Sequence, residues 1–234
     1  MAVVLFDFFG TLVTYSPSRT EQGYGAAHAV LRDGGCGLAE HEWLAVWESV
    51  STNLDDDADR SGVEFSMHDA YTAFVDAAPP HIAPGLADAF IDAYGAAWAS
   101  AVHPINGVDE MLRRLRTAGH RLGVVSNTHH APLVPAQLER VGILDLFDAV
   151  VTSVVVGRRK PDAAIFTAAL AAFDAEPGDC VFVGDSYRPD YLGPSILGIA
   201  AYLITPEGHP EVPAHQTLHS VLDVENLLLQ RSRA

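Results

Sequence analysis

The chain is short of positive charge: 14 Lys and Arg stand against 30 Asp and Glu, for a formal net charge of −16. Such a surface repels nucleic-acid phosphates and anionic lipid, so neither nucleic acid nor a membrane is expected as a partner. A small anionic substrate is still allowed, because one local cation can reverse the field inside a single cleft. Long apolar runs are also missing. None approaches about 18 residues, so no membrane-spanning helix is expected. The N-terminus has no basic region ahead of its apolar residues, and no secretory signal is expected. Cysteine is scarce: Cys36 and Cys180 are far apart, with no CxxC. That excludes a disulfide framework and makes a reducing cytoplasm the expected location. No glycine-rich P-loop occurs. Gly184-Asp185-Ser186-Tyr187-Arg188 lacks the last glycine of a nucleophile elbow. The run Asp55-Asp56-Asp57-Ala58-Asp59 fails as a calcium loop, since Arg60 stands where glycine is needed and Ser66 where glutamate is needed. It reads as a solvated acidic turn. Scarcest of all is lysine: Lys160 is the only one, beside 13 arginines. Its position is therefore informative.

What is present suffices for one core and a smaller insert: 234 residues, 49% of them hydrophobic. Val3–Phe6 is short, apolar and rich in β-branched residues, which predicts a buried central strand. Asp7 stands at its end, followed by a turn through Gly10-Thr11. From about Tyr15 to Ala101 the text is helical, with candidate helices at Glu21–Arg32, Ala39–Leu54, Ser66–Ala77 and Gly85–Ser100. The breaks fall at Gly34-Gly35, at the acidic stretch Asp55–Gly62 and at Pro79-Pro80. Trp43 and Trp47, four residues apart, share a helix face and predict the insert's own core. The second half alternates. Strands are predicted at Arg121–Ser126, Phe147–Thr152, Asp179–Gly184 and Ile199–Ile204. Helices are predicted at Gly107–Ala118, Pro135–Val141, Pro161–Phe173, Pro189–Leu197 and Ser220–Leu229. That alternation predicts an α/β fold, a doubly wound parallel sheet, with an all-helical insertion. The expected division is a core of residues 1–14 and 102–234 and an inserted helical domain of residues 15–101.

In a parallel sheet every strand's C-terminal end lies on one edge, where ligands bind. Strand ends bring Asp7, Ser126-Asn127-Thr128 and Gly184-Asp185 to that edge, and Lys160 precedes a helix there. Such a set supports specific chemistry. Asp7 can attack phosphorus or carbon and form an ester. Asp7 and Asp185 offer hard oxygen ligands for Mg²⁺. Ser126, the N–H groups after it and Lys160 can hold phosphoryl oxygens. Asp190 falls on the turn after Asp185, within reach of the ion or of Lys160.

These residues, in this order, resemble the haloacid dehalogenase-like superfamily. Asp7-Phe8-Phe9-Gly10-Thr11-Leu12 matches its nucleophile segment and Val124-Val125-Ser126-Asn127 its hydroxyl segment. Lys160-Pro161-Asp162 matches its lysine segment, and Gly184-Asp185-Ser186-Tyr187-Arg188-Pro189-Asp190 its acidic segment. The match covers residues 1–14 and about 102–204, and the helical insert lies where the family's first type of cap lies. The resemblance implies a Rossmann-like core under a mobile helical cap. It also implies Mg²⁺ held by Asp7, the backbone carbonyl of Phe9 and Asp185, with Asp190 in or beside the shell. The implied catalytic set is Asp7, Ser126 and Lys160. Phosphate or substrate would be held by Thr11, Ser126, Asn127 and Lys160, with Arg19 and Tyr15 of the cap setting substrate choice. A homodimer is left open.

One position departs from the pattern. Most phosphatases of the family carry a second aspartate where Phe9 stands, to protonate the leaving group and later activate water. General acid–base help of this kind is worth roughly 10²–10⁴-fold. The reading adopted is a Mg²⁺-dependent phosphatase acting on a small phosphorylated metabolite, with His129 or His130 as a substitute acid or with a leaving group that needs little protonation. A 2-haloacid dehalogenase is the first alternative, since halide leaves without a proton, with Arg19, Arg32 or Arg60 as its anion-binding arginine. Asp185 would then be an unexplained charge. A weakly catalytic binder of a phosphorylated ligand is the second alternative. A phosphonatase-like enzyme is rejected, because the insert holds no lysine for a Schiff base.

Overall fold

A computed structural model describes residues 1–15, 23–78 and 82–231. The chain divides into two compact units, Met1–Thr14 with Pro104–Ala234, and Tyr15–His103.

The first unit is an α/β fold. Its strands are β1 (Val3–Phe6), β4 (Arg121–Ser126), β5 (Ala149–Thr152), β6 (Cys180–Gly184), β7 (Ala200–Ile204) and β8 (Thr217–Leu218). The short strands β2 (Val13–Thr14) and β3 (His103–Pro104) make a separate two-stranded sheet. The six-stranded sheet runs β5-β4-β1-β6-β7-β8, and every pairing in it is parallel. β1 is central: Val3 pairs with Arg121 on one side and Cys180 on the other, and the register holds to Phe6 opposite Val124 and Val183. Buried on both faces, it is apolar throughout, as a central parallel strand must be.

Helices cover the sheet. The helix Val108–Thr117 turns Val108, Met111, Leu112 and Leu115 inward at helical spacing. The helix Ala163–Phe173 buries Ile165, Phe166, Ala169 and Phe173 with Val3, Leu5 and Phe182. Its approach requires Gly123, where a β-carbon would lie 2.7 Å from the Phe173 ring and 2.8 Å from Leu5. Beyond β6 the chain makes a π-helical turn, Tyr187–Leu192, before the α-turn Gly193–Ile196. The sequence predicts one ordinary helix there. π-turns are rare and concentrate at functional sites. The short helix Ser153–Val156 and the two-residue strand β8 have no counterpart in the sequence reading.

The second unit is all-helical among the described residues: Gly25–Asp33, Glu40–Ser61, Met67–Ala77 and Ala87–Ser100. The helix expected to end at Leu54 runs on to Ser61, straight through the acidic stretch read as a break. Exposed aspartates on a solvated helix face lower propensity only by tenths of a kcal/mol each, and Gly62 in the left-handed conformation supplies the actual stop. Ser66 opens the next helix with a reciprocal capping box to Asp69. Trp43 and Trp47 are fully buried with Phe74, Phe90 and Tyr94, and the Trp47 ring lies 5.0 Å from Phe90 and 5.1 Å from Tyr94. The predicted break at Pro79-Pro80 lies outside the described residues. No helix among those described is long and apolar enough to cross a membrane.

Candidate active site

Asp7 is the first residue past β1, and its N–H continues the ladder by donating to the Val183 carbonyl at 2.9 Å. The strand thus fixes the backbone while the side chain stands beyond the sheet edge. Asp7 is only 6% exposed. Lys160 Nζ donates to Asp7 Oδ1 at 2.6 Å and to Asp190 Oδ1 at 2.7 Å. Asp190 is 1% exposed, and its other oxygen, Oδ2, accepts from the Ser186 N–H at 2.9 Å. Asp185 completes the acidic set: ligand oxygens of Asp7, Asp185 and Asp190 all lie within 4.8 Å of one another. As a residue Asp185 is exposed, which leaves this group one face open to an incoming molecule.

Three anions in so small a volume perturb one another. Burial pushes the Asp7 carboxyl up to about 7; Lys160 offsets part of that, and Asp190 and Asp185 add to it. Burial and then Asp190 push Asp185 up to about 6. Burial alone would lower the Lys160 ammonium, but Asp190 and Asp7 outweigh it and hold Lys160 above its ordinary value. The arrangement is short of one or more positive charges. Its donors are all carboxylate oxygens, the type that hard divalent cations such as Mg²⁺ accept alongside waters and phosphate oxygens. Both Asp190 oxygens are already engaged, so Asp185 and the second oxygen of Asp7 are the atoms best placed to hold an ion.

Two glycines make this packing possible. A β-carbon on Gly10, whose φ is +82°, would collide with Asp185 Oδ2. One on Gly184 would collide with the Asp190 side chain. Gly10 was readable as a turn glycine. Gly184 was not, because nothing local shows that a side chain five residues on folds back over it.

The other predicted residues fall as follows. Ser126 ends β4, fully buried, with its Oγ 3.4 Å from the Asn127 carbonyl. Asn127 clasps Lys160's backbone: its Oδ1 accepts from Lys160 N at 2.7 Å and its Nδ2 donates to Lys160 O at 3.1 Å. Its amide therefore positions the lysine segment. Thr11 is fully buried, and its Oγ1 has no hydrogen-bond partner. His129 and His130 are half-buried on the loop after β4, where the His130 N–H donates to Thr128 Oγ1 at 3.3 Å. Tyr15 packs 6.1 Å from Trp98, centroid to centroid. Arg19 lies outside the described residues. Sequence reasoning missed Ser153, whose Oγ accepts from Thr128 N at 2.8 Å and ties the loop after β4 to the end of β5. A lone serine after a strand carries no signal of that pairing.

A strand-end aspartate, a lysine tied to it and a shared acidic pocket on a doubly wound sheet define a hydrolase of the kind the sequence resembles. Residues 1–195 match the haloacid dehalogenase-like hydrolase family, and the chain belongs to it. It is 29% identical over 206 residues to ribulose-1,5-bisphosphate 5-phosphatase of Halopiger xanaduensis, covering 87% of this chain and 84% of that protein. It is 30% identical over 210 residues to glyceraldehyde 3-phosphate phosphatase of Methanothermobacter thermautotrophicus, covering 88% and 87%. The crystal structure of 2-haloacid dehalogenase from Pseudomonas syringae pv. Tomato DC3000 superimposes with a TM-score of 0.73 at 24% identity, covering 99% of both chains. At that identity the likeness concerns the fold alone.

Proposed function

We propose that the protein is a Mg²⁺-dependent phosphatase acting on a small phosphorylated metabolite. The observation that carries this reading is the acidic group itself: Asp7, Asp185 and Asp190 within 4.8 Å, with Lys160 bonded to two of them. A dehalogenase site needs the nucleophile but leaves Asp185 without a purpose. The relatives named above as phosphatases support the same choice.

Asp7 is the nucleophile, and its oxygen forms a bond to phosphorus as the bond to the leaving oxygen breaks. Lys160 holds the Asp7 carboxylate in line, neutralises part of the charge that three phosphoryl oxygens would add, and is anchored by Asp190. Asn127 fixes the backbone of Lys160, and Ser126 together with the N–H groups after it faces the phosphoryl group. Thr11, with its unpartnered hydroxyl, supports the nucleophile loop. Mg²⁺, held by Asp7, Asp185 and the Phe9 carbonyl with Asp190 beside them, would neutralise phosphate oxygens. The unit of residues 15–103 acts as a cap that sets substrate choice and keeps water out; Tyr15 and Arg19 belong to it. The protein works in the cytoplasm.

The test is hydrolysis of p-nitrophenyl phosphate with Mg²⁺ and with EDTA, beside chloride release from 2-chloropropionate. Nitrophenol release that requires Mg²⁺ and is abolished by Asp7→Asn is the expected result. Chloride release without metal would replace this reading by the dehalogenase.

A further inference from the structure

We propose, resting on the phosphatase reading above, that phosphoryl transfer at Asp7 runs without a general acid or base. The site would then take phosphoryl compounds whose leaving oxygen departs as a stable anion, acyl phosphates foremost, and the phosphorylated Asp7 would accumulate.

The argument is an account of protons. The charged groups acting on Asp7 are Lys160, Asp190 and Asp185. Lys160 shares its ammonium between two buried carboxylates at 2.6 and 2.7 Å, so releasing a proton would leave both anions uncompensated. Asp190 accepts a hydrogen bond on each oxygen, from Lys160 and from the Ser186 N–H, and is an ionised acceptor with no proton to give. Asp185 is the most open of the three carboxylates and must be deprotonated when it holds a cation. Phe9, two residues past the nucleophile on the same loop, is a hydrocarbon ring set edge-on against buried Phe8 at 4.8 Å, and it exchanges no proton.

In the first step an Asp7 oxygen bonds to phosphorus and the bond from phosphorus to the leaving oxygen breaks, its electron pair staying on that oxygen. A carboxylate or a phenolate leaves unaided. A sugar or glycerol alkoxide requires a proton that no group acting on Asp7 supplies. In the second step water bonds to phosphorus and the bond from phosphorus to Asp7 breaks, returning its pair to the carboxylate. The water proton passes to a phosphoryl oxygen, giving inorganic phosphate. No base takes that proton, so this step is slow.

The experiment uses the full chain with saturating Mg²⁺ on acetyl phosphate, p-nitrophenyl phosphate, phenyl phosphate and glycerol 3-phosphate. We expect kcat/KM to fall by about 10²–10⁴-fold from the acyl and nitrophenyl esters to the alkyl ester, the usual worth of the missing acid. Rapid mixing with p-nitrophenyl phosphate should give a burst of about one nitrophenolate per chain ahead of slower turnover, the signature of an accumulating covalent intermediate. Phe9→Asp should raise the alkyl rate and suppress the burst. Should that variant fail to fold, the wild-type comparison decides alone. Equal rates on alkyl and aryl esters without a burst would overturn the inference while leaving the phosphatase reading intact, and so would an alkyl rate that collapses in His129→Ala or His130→Ala. Silence on both acetyl and nitrophenyl phosphate would overturn the phosphatase reading itself, and this inference with it.

Discussion

Replacing Lys160 by methionine removes a cation from between two carboxylates that the fold has taken out of water. Lys160, Asp7 and Asp190 are 3%, 6% and 1% exposed. Taking away one partner of a buried ion pair leaves an uncompensated charge and costs about 3–5 kcal/mol. For a chain of this size that lowers Tm by roughly 10 °C. Methionine matches the volume of the lysine stem, so the loss reports charge more than packing. The measurement is urea unfolding in EDTA, so that no divalent ion stands in for the ammonium. The loss must depend on pH. Without Lys160 both aspartates are protonated more readily in the folded than in the unfolded chain, and folding takes up protons. Stability of the variant therefore falls as pH rises from about 4 through neutrality, and the gap to wild type closes toward acid pH. Wild-type Lys160 has the opposite preference: its raised folded value keeps its contribution intact throughout that range. Adding Asp190→Asn to Lys160→Met should recover part of the loss, as expected of groups in contact. A loss below about 1 kcal/mol, or the same loss at pH 4.5 and pH 7.5, would refute the account of Lys160 as the buried counter-charge.

Two further outcomes follow from the packing. Gly10→Ala forces a side chain into left-handed backbone and against the Asp185 carboxylate, so Mg²⁺ affinity, read by titration of activity, should fall at least about tenfold while the far-ultraviolet circular dichroism stays native. Trp47→Ala should cost about 3–5 kcal/mol in thermal unfolding of the helical unit, whereas Trp47→Phe should cost far less, because it keeps the ring contacts and removes an indole N–H that is buried without a partner.

The alternation of apolar runs and amphipathic helices was enough to read the parallel sheet, because period and burial are local properties of a strand. The same locality explains the errors. The helix through Asp55–Asp59 was broken too early, since charge was given more weight than the absence of a stop before Gly62. The π-turn at Tyr187–Leu192 and the two-residue strand β8 left no pattern long enough to recognise.

By itself the sequence determined which chemistry is on offer: a strand-end aspartate, a single lysine ahead of a helix, two further aspartates five residues apart, and a phenyl ring beside the nucleophile. Only the tertiary structure decided how those groups divide the work. Asp190 became the anchor of Lys160, Asn127 the clasp of its backbone, and Asp185 the exposed member of the acidic group. The physical reason is that hydrogen-bond partners 30 to 153 positions apart are chosen by the sheet's register and by glycines that let backbone approach carboxylate, and neither is written in the neighbourhood of any one residue.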